Sequence, residues 1–140
     1  MDSKKKIIEM LNEDLGDELA SIIQYMWHHV MVAGPSAPGA KEEFMKAARD
    51  EMKHAEMLAE KVNYLGGVPT TKHEEIRVGG DLKKMLSDNL EHETRAIARY
   101  KKQIASAAVE SEPAIRHMLE EILEDEEDHA DIWQTMLEGL

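Results

Sequence analysis

Two Glu-x-x-His pairs are the residues of this 140-residue chain with the clearest capacity for chemistry. Glu51 and His54 form one pair, and Glu126 and His129 form the other. Residues three apart on a helix share a face, so each pair can direct a carboxylate and an imidazole to one point. With seven His and 20 Glu in the chain, about one such pair is expected by chance, so the pairs alone indicate little.

An internal repeat of 75 residues makes the pairs informative. Shifting the chain by 75 residues aligns Glu18 with Glu93, Tyr25 with Tyr100, and the first Glu-x-x-His pair with the second. In both halves the members of the pair follow the lone Glu by 33 and 36 residues. The repeat predicts two helix hairpins of one design, with six side chains meeting between four helices.

This arrangement predicts a site for two metal ions. Four carboxylates in a bundle core would not stay ionised without cations, and two divalent ions balance four negative charges. By the symmetry of the repeat, Glu18 and Glu93 are predicted to bind one ion each, while Glu51 and Glu126 bridge both. Mixed carboxylate and imidazole ligands favour iron or manganese over structural zinc.

The roles of other residues near these positions can be interpreted in two ways. Tyr25 and Tyr100 lie two turns beyond Glu18 and Glu93, where a phenol either hydrogen-bonds a metal ligand or packs as an ordinary buried side chain. Asp50 and Asp125 precede the bridging glutamates and either orient the imidazoles or face water. The remaining histidines are predicted to have no part in the site. His29 is predicted to lie in the core or to line a pore. The histidines predicted to be exposed are His28, His73, His92 and His117.

The pattern of apolar residues predicts an all-α fold in one domain over residues 1–140. Apolar residues recur at alternating steps of three and four, which is typical of amphipathic helices. The predicted helices span about 4–32, 40–65, 81–109 and 112–138. Residues 66–80 are too long for a tight hairpin, so they are predicted to cross the bundle and make helices two and three parallel.

Composition narrows the function classes. The chain has no cysteine, which excludes disulfides, thiolate metal sites and iron-sulfur clusters. Its net charge of -12 disfavours nucleic acid as a partner and favours cations. No apolar run reaches the roughly 20 residues that a membrane helix needs, so we expect a cytoplasmic protein without a membrane partner.

Several motifs resemble those of bacterioferritins. The resemblance covers nearly the whole chain and lies in residues 11–15, 24–25, 50–56, 65–69 and 125–129. It implies a ferritin-like four-helix bundle with a di-iron ferroxidase centre made of the six residues above. It also implies oxidation of Fe(II) by dioxygen or hydrogen peroxide, and iron storage or detoxification in a shell of identical subunits.

The resemblance also suggests a haem site. Met52 matches the position at which bacterioferritins offer a sulfur ligand to haem b between two subunits, and the other reading is a methionine that packs at a surface or interface. Bacterioferritins carry a short fifth helix that helps to pack the shell, and the sequence does not extend to one. The resemblance therefore predicts the metal site and a homo-oligomer. It does not decide whether that oligomer is a closed cage or a dimer.

Four alternatives share parts of this pattern. A mini-ferritin or a dimanganese catalase would keep similar ligands, whereas a rubrerythrin-like peroxidase would carry an extra Glu where this chain has Ala96. The fourth is a non-catalytic helical assembly module, in which the carboxylates are solvated.

Overall fold

The structure, a computed structural model, describes residues 2–140 and confirms the predicted all-α fold. The helices of this part of the chain are α1 (Ser3–Met31), α2 (Ala37–Tyr64), α3 (Leu82–Ile104), α4 (Ala107–Glu110) and α5 (Pro113–Glu138). Across the described residues, none of the helices combines the length and the apolar character that a membrane crossing requires.

Capping residues set the helix starts. The side chain of Asp2 accepts a hydrogen bond from the Lys4 amide, and that of Asp81 accepts one from the Lys84 amide, which satisfies first-turn donors of α1 and α3. Helix α2 begins at Ala37, three residues before its predicted start, because proline is compatible with a first helical turn.

The third helix ends earlier than the sequence predicted. We expected it to continue to residue 109, but α3 stops at Ile104 and the separate short helix α4 follows. The reason lies at Ser106, whose backbone is extended and whose hydroxyl donates to the Gln103 carbonyl over 2.6 Å. A serine hydroxyl that bonds to local backbone competes with the helix and ends it here.

The crossover between α2 and α3 runs along α1 and is fixed to it by hydrogen bonds. We call residues 66–80 the strap. Its hydrogen bonds to α1 include, in chain order, Thr70 amide to Asn12 Oδ1 (2.9 Å), Glu74 amide to Gly16 carbonyl (3.1 Å) and Arg77 amide to Gln24 Oε1 (3.0 Å). Because these contacts advance along α1, the strap carries the chain to the opposite end of the bundle, so α2 and α3 run parallel as predicted.

Two apolar clusters fill the ends of the bundle. One is centred on Leu11, Leu58, Tyr100 and Leu119, and the other on Tyr25, Phe44, Leu86 and Trp133. Along every long helix a buried carboxylate lies between the residues of one cluster and those of the other. The four helices therefore hold a polar layer at mid-height, sealed above and below by apolar side chains.

Candidate metal centre

The polar layer contains all six residues that the repeat singled out. Each long helix contributes a glutamate, and α2 and α5 add a histidine one turn later, because residues three apart share a helix face. Burial is nearly complete, at 0% relative exposure for the four glutamates, 2% for His54 and 3% for His129. The members of the layer are Glu18, Glu51, His54, Glu93, Glu126 and His129.

The first half of the layer gathers around His54. Its Nδ1 atom lies 2.9 Å from Glu51 Oε1, 3.2 Å from Glu18 Oε2 and 3.9 Å from Glu126 Oε1. One donor atom from each of these four residues lies within 4.8 Å of the others, a spacing that suits a single metal ion.

The second half repeats this geometry around His129. Its Nδ1 atom lies 2.9 Å from Glu93 Oε2, 3.2 Å from Glu126 Oε1 and 3.8 Å from Glu51 Oε1. Glu51 and Glu126 therefore belong to both groups, whereas Glu18 and Glu93 belong to one group each. This is the division between shared and terminal carboxylates that the repeat predicts.

The shared carboxylates have no hydrogen-bond donors. Both oxygens of Glu51, both of Glu126 and Oε1 of Glu93 are buried without a hydrogen-bond partner among residues 2–140. Burial, reinforced by the charges of Glu18 and Glu93, raises the pKa of Glu51 well above its ordinary value, and burial does the same for Glu126. Such oxygens are costly to bury unless a cation meets them.

The two imidazoles are held from the other side by aspartates. His54 Nε2 lies 2.7 Å from Asp125 Oδ2, and His129 Nε2 lies 2.9 Å from Asp50 Oδ2. Each aspartate therefore serves the histidine of the opposite hairpin. The aspartates contact the imidazoles and also face water, since the side chain of Asp125 is 49% exposed and that of Asp50 is 31% exposed.

These contacts favour the protonated imidazoles. Burial opposes a charge on His54, but hydrogen bonding to Glu18 outweighs it and raises the pKa of His54 to about 9. The pKa of His129 is also raised, because its hydrogen bonds to Asp50 and Glu93 and the nearby carboxylate charges outweigh burial. In the same way hydrogen bonding to His54 lowers the pKa of Glu18 despite its burial.

The two tyrosines differ in their contacts. Tyr100 Oη donates to Glu18 Oε1 over 2.9 Å, which is the contact expected from the first of its two interpretations. Tyr25 is equally buried, but its hydroxyl has no hydrogen-bond partner in the described chain, and its ring packs edge-on against Trp133. The first reading fits Tyr100, and the packing reading fits Tyr25.

Two histidines that we predicted to be exposed are buried, so that prediction was wrong. His28 is 0% and His92 is 2% exposed. His28 Nδ1 lies 2.9 Å from Asn89 Oδ1, and His92 Nε2 lies 2.6 Å from Ser21 Oγ. Both lie among further polar side chains between α1 and α3, outside the layer of six residues, and we did not predict this arrangement. Its signal was spacing: Ser21 lies three residues after Glu18, and His28 lies three after Tyr25.

The other sequence-predicted positions lie outside the cluster. His73 and His117 are exposed as predicted, and His29 is partly buried. Met52 is 51% exposed on α2, so its sulfur faces away from the six residues.

A pocket of about 110 Å³ opens between α2 and α5 beside His129. Asp50, Asp125 and Asp128 line it together with Lys46. The carboxylates that line this opening create a negative potential beside a buried imidazole, and such a potential attracts cations.

Four helices around a buried layer of carboxylates and imidazoles define a helical bundle of the carboxylate type. Residues 8–140 match the family described as "Ferritin: Ferritin-like domain", and the chain belongs to that family. The resemblance to bacterioferritins that the motifs indicated is thereby confirmed at the level of the family.

Individual relatives agree with this assignment. The chain is 30% identical to "Bacterioferritin" of Mycobacterium leprae over 138 residues, which cover 98% of this chain and 87% of that protein. It is 31% identical to "Bacterioferritin" of Streptomyces coelicolor over 139 residues, covering 99% and 83%. It also resembles a solved structure described as "ferritin like, diiron-carboxylate proteins from Bacillus anthracis str. Ames", with a TM-score of 0.91, 34% identity, and coverage of 98% and 99%.

Proposed function

We propose that this protein binds two iron ions between its four long helices and oxidises Fe(II) to Fe(III). The observation that carries the proposal is the pair of four-residue groups that share Glu51 and Glu126. Similarity to bacterioferritins and to a di-iron carboxylate protein supports iron as the metal. Manganese would suit the same ligands and stays an alternative that metal analysis can test.

The residues fit two divalent cations. In the metal-free cluster the five unpartnered glutamate oxygens would lie against a low-dielectric interior, whereas in the proposed complex they bind the ions. Glu18 and His54 would hold one ion, Glu93 and His129 the other, and Glu51 and Glu126 would bridge them. Four carboxylates balance two divalent charges, so loading would remove the repulsion that raises the pKa values of the bridging glutamates.

Iron is the substrate of the proposed reaction. Two Fe(II) ions lose one electron each, and dioxygen takes up these two electrons and two protons to give hydrogen peroxide. With hydrogen peroxide as the oxidant, two electrons and two protons give two water molecules. The paired site supplies both electrons to one oxidant molecule.

The protein's own groups prepare this site. Asp125 and Asp50 accept from the outer nitrogens of His54 and His129, which leaves each Nδ1 directed at the cluster. Tyr100 holds Glu18 through its hydroxyl. The apolar clusters above and below limit water access, and the acidic pocket beside His129 provides a route for Fe(II).

We also propose that the protein assembles with copies of itself. Trp27, Val30 and Met31 on α1 and Met52 on α2 are 46–61% exposed, and exposed apolar side chains on adjacent helices are typical of an interface. Storage of ferric iron needs an enclosed volume, so it depends on this assembly. Haem b at Met52 stays a prediction from the resemblance, and a cytoplasmic location stays a prediction from the hydropathy of the sequence.

The double variant Glu51→Gln, Glu126→Gln tests the ferroxidase proposal. It removes both bridging carboxylates and keeps the side-chain size, so we expect Fe(II) oxidation to fall by at least about 100-fold. The metal-free variant should be as stable as the wild type or more so, since the buried carboxylates are gone. Unchanged oxidation would contradict the proposal.

A matched control is Glu56→Gln, Glu120→Gln, which makes the same change at exposed positions of α2 and α5. It should oxidise Fe(II) at the wild-type rate. Gel filtration with metal analysis and a visible spectrum, on the same samples, would report assembly size, stored iron and any haem bound at Met52.

A further inference from the structure

A triad of polar side chains with a buried acceptor joins α1 and α3 toward one end of the bundle. Asp14 Oδ1 accepts from Arg99 Nε over 2.8 Å and from Gln103 Nε2 over 2.7 Å. Asp14 is 0% and Gln103 is 9% exposed. Arg99 also pairs with Asp17 over 2.9 Å. We call Asp14, Arg99 and Gln103 the charged triad.

A second triad of the same design occupies the other end. Asn89 Oδ1 accepts from Gln24 Nε2 over 3.0 Å and lies 2.9 Å from His28 Nδ1. All three residues are buried, at 0–1% exposure. We call Gln24, His28 and Asn89 the neutral triad.

The 75-residue repeat relates the two triads position by position. The equivalent positions are Asp14 with Asn89, Gln24 with Arg99, and His28 with Gln103. In each triad one acceptor receives hydrogen bonds from two donors on the other helix. The acceptor lies on α1 in the charged triad and on α3 in the neutral triad. The hydrogen-bond design is therefore kept, while an aspartate and an arginine replace an asparagine and a glutamine at one end only.

The charged triad reaches the metal centre through Tyr100. The Arg99 guanidinium lies 4.8 Å from the centre of the Tyr100 ring, which fixes the ring between a cation and Glu18. The phenol then holds Glu18 Oε1, while His54 holds Glu18 Oε2. Glu18 is thus fixed at both carboxylate oxygens.

The neutral triad provides no equivalent support. Gln24 directs its other amide atom to the strap, where Oε1 accepts from the Arg77 amide. Neither the Tyr25 hydroxyl nor Glu93 Oε1 has a hydrogen-bond partner anywhere in residues 2–140. Glu93 is therefore held at one oxygen only, by His129.

We propose that the two metal positions are unequal, and that the position formed by Glu18 and His54 binds its ion first and more tightly. A ligand that is already fixed loses less conformational freedom on binding, so preorganisation favours this position. Asp14, Arg99 and Gln103 are positioning residues that act through Tyr100. The position formed by Glu93 and His129, which also adjoins the acidic pocket, is the one that exchanges its ion. This inference rests on the proposed two-metal function.

Titration of the metal-free protein with Co(II), followed by visible absorption and calorimetry, tests the order. The wild type should bind two Co(II) ions per chain in two resolved steps. Tyr100→Phe removes only the hydroxyl that holds Glu18, so the first step should weaken by roughly 10–100-fold with the second unchanged. Tyr25→Phe is the matched control from the repeat and should leave both steps unchanged.

A second variant tests the triad itself. Asp14→Asn, Arg99→Gln gives two of the three positions of the charged triad the residues of the neutral one, so the affinities of the two binding steps should become more alike. Weakening of the second step in Tyr100→Phe, equal weakening of both, or no change would overturn the proposal. If the double variant melts normally and keeps its two steps as far apart as in the wild type, the triad has no positioning role and that part is overturned.

The outcomes separate this inference from the proposed function. A wild type that binds fewer than two Co(II) ions and does not oxidise Fe(II) contradicts the ferroxidase proposal. A wild type that binds two ions with equal affinity and still oxidises Fe(II) contradicts only the inequality of the two positions.

Discussion

The two hairpins of this bundle agree in the residues that face the cluster and differ in the residues around it. The repeat pairs Glu18, Glu51 and His54 with Glu93, Glu126 and His129, and in both halves the two glutamates lie 2.9 and 3.2 Å from Nδ1 of the histidine. The neighbouring layers diverge: Leu58 corresponds to Trp133, and Asp14 corresponds to Asn89. Two equal sets of side chains are therefore set in unequal surroundings, which would allow the proposed centre to treat its two ions differently.

The surfaces of the hairpins differ as well. Gly16 lies directly under the strap, and its equivalent in the second hairpin is the exposed Glu91. Backbone of the crossover lies against Gly16 of the first hairpin, whereas the crossover meets Glu91 of the second hairpin through a side chain, with the Arg77 guanidinium 2.9 Å from Glu91 Oε2. The following variants test which of these differences matter.

Removal of the two histidine ligands should have the largest effect. We expect His54→Ala and His129→Ala each to reduce bound metal from two ions to one and to lower Fe(II) oxidation by at least about 100-fold. If the halves are unequal, His54→Ala also loses the tighter ion, so its remaining ion should dissociate more readily in dialysis with metal analysis. His117→Ala, at an exposed position, is the control. Equal ion retention in both variants would make the halves equivalent.

Trp133→Ala tests the bulkier packing of the second hairpin. Trp133 is 0% exposed, with ring centroids 5.5 Å from Tyr25 and 5.4 Å from Phe44. Loss of a buried tryptophan should lower the free energy of unfolding by about 3–5 kcal/mol in a denaturant titration. The exposed aromatic Tyr64 provides the control, since Tyr64→Ala should cost at most about 1 kcal/mol. Similar losses in the two variants would refute the assigned role of Trp133.

The metal-free protein should lose stability as the pH rises from about 6.5 to about 9. The folded-state pKa of His54 is raised from 6.5 to about 9, so its contribution is complete below the unfolded value and is lost as the pH passes the folded value. The shift corresponds to about 3 kcal/mol. The raised pKa values of Glu51 and Glu126 act in the same direction.

Chemical denaturation in chelator at several pH values measures this loss. Asp125→Asn should reduce it, because Asp125 supports the imidazolium of His54. Bound metal should also suppress it, since a metal ion takes the place of the proton on Nδ1. A stability that is flat or rises over this range would contradict the assigned direction.

Gly16→Ala should have the smallest effect. A Cβ atom at this position would lie 2.9 Å from the Lys72 carbonyl oxygen, so the strap would have to move. Crowding of this kind costs about 1–3 kcal/mol and the better helix former returns about 1, leaving a net loss of up to about 2 kcal/mol. Hydrogen exchange of the Glu74 amide, which donates to Gly16, should accelerate.

The control for this variant is Gly39→Ala, because a Cβ atom there meets nothing within 4 Å. It should be neutral or stabilising by up to about 1 kcal/mol. If both glycine variants melt alike, the close approach of the strap has no energetic consequence.

The sequence by itself determined the helices and the six cluster residues. Helical periodicity is local, so three-residue spacing placed each Glu and His pair on one face, and the 75-residue repeat connected the pairs to Glu18 and Glu93. Symmetry predicted which carboxylates are shared and which are terminal, and the spacing of the side chains groups them in the same way. Their roles toward metal stay a prediction. Two helix bounds were misplaced: α2 begins three residues earlier than predicted, and the third helix ends early where a serine hydroxyl competes with the backbone.

Only the tertiary structure decided which polar side chains meet across the bundle. Asp125 contacts His54, 71 residues away, and Gln103 contacts Asp14, 89 residues away. Periodicity tells which face of its own helix a residue occupies, but not which helix lies opposite. For that reason His28 and His92, polar by type, were placed at the surface, while packing buries them against polar partners that satisfy part of their hydrogen bonding.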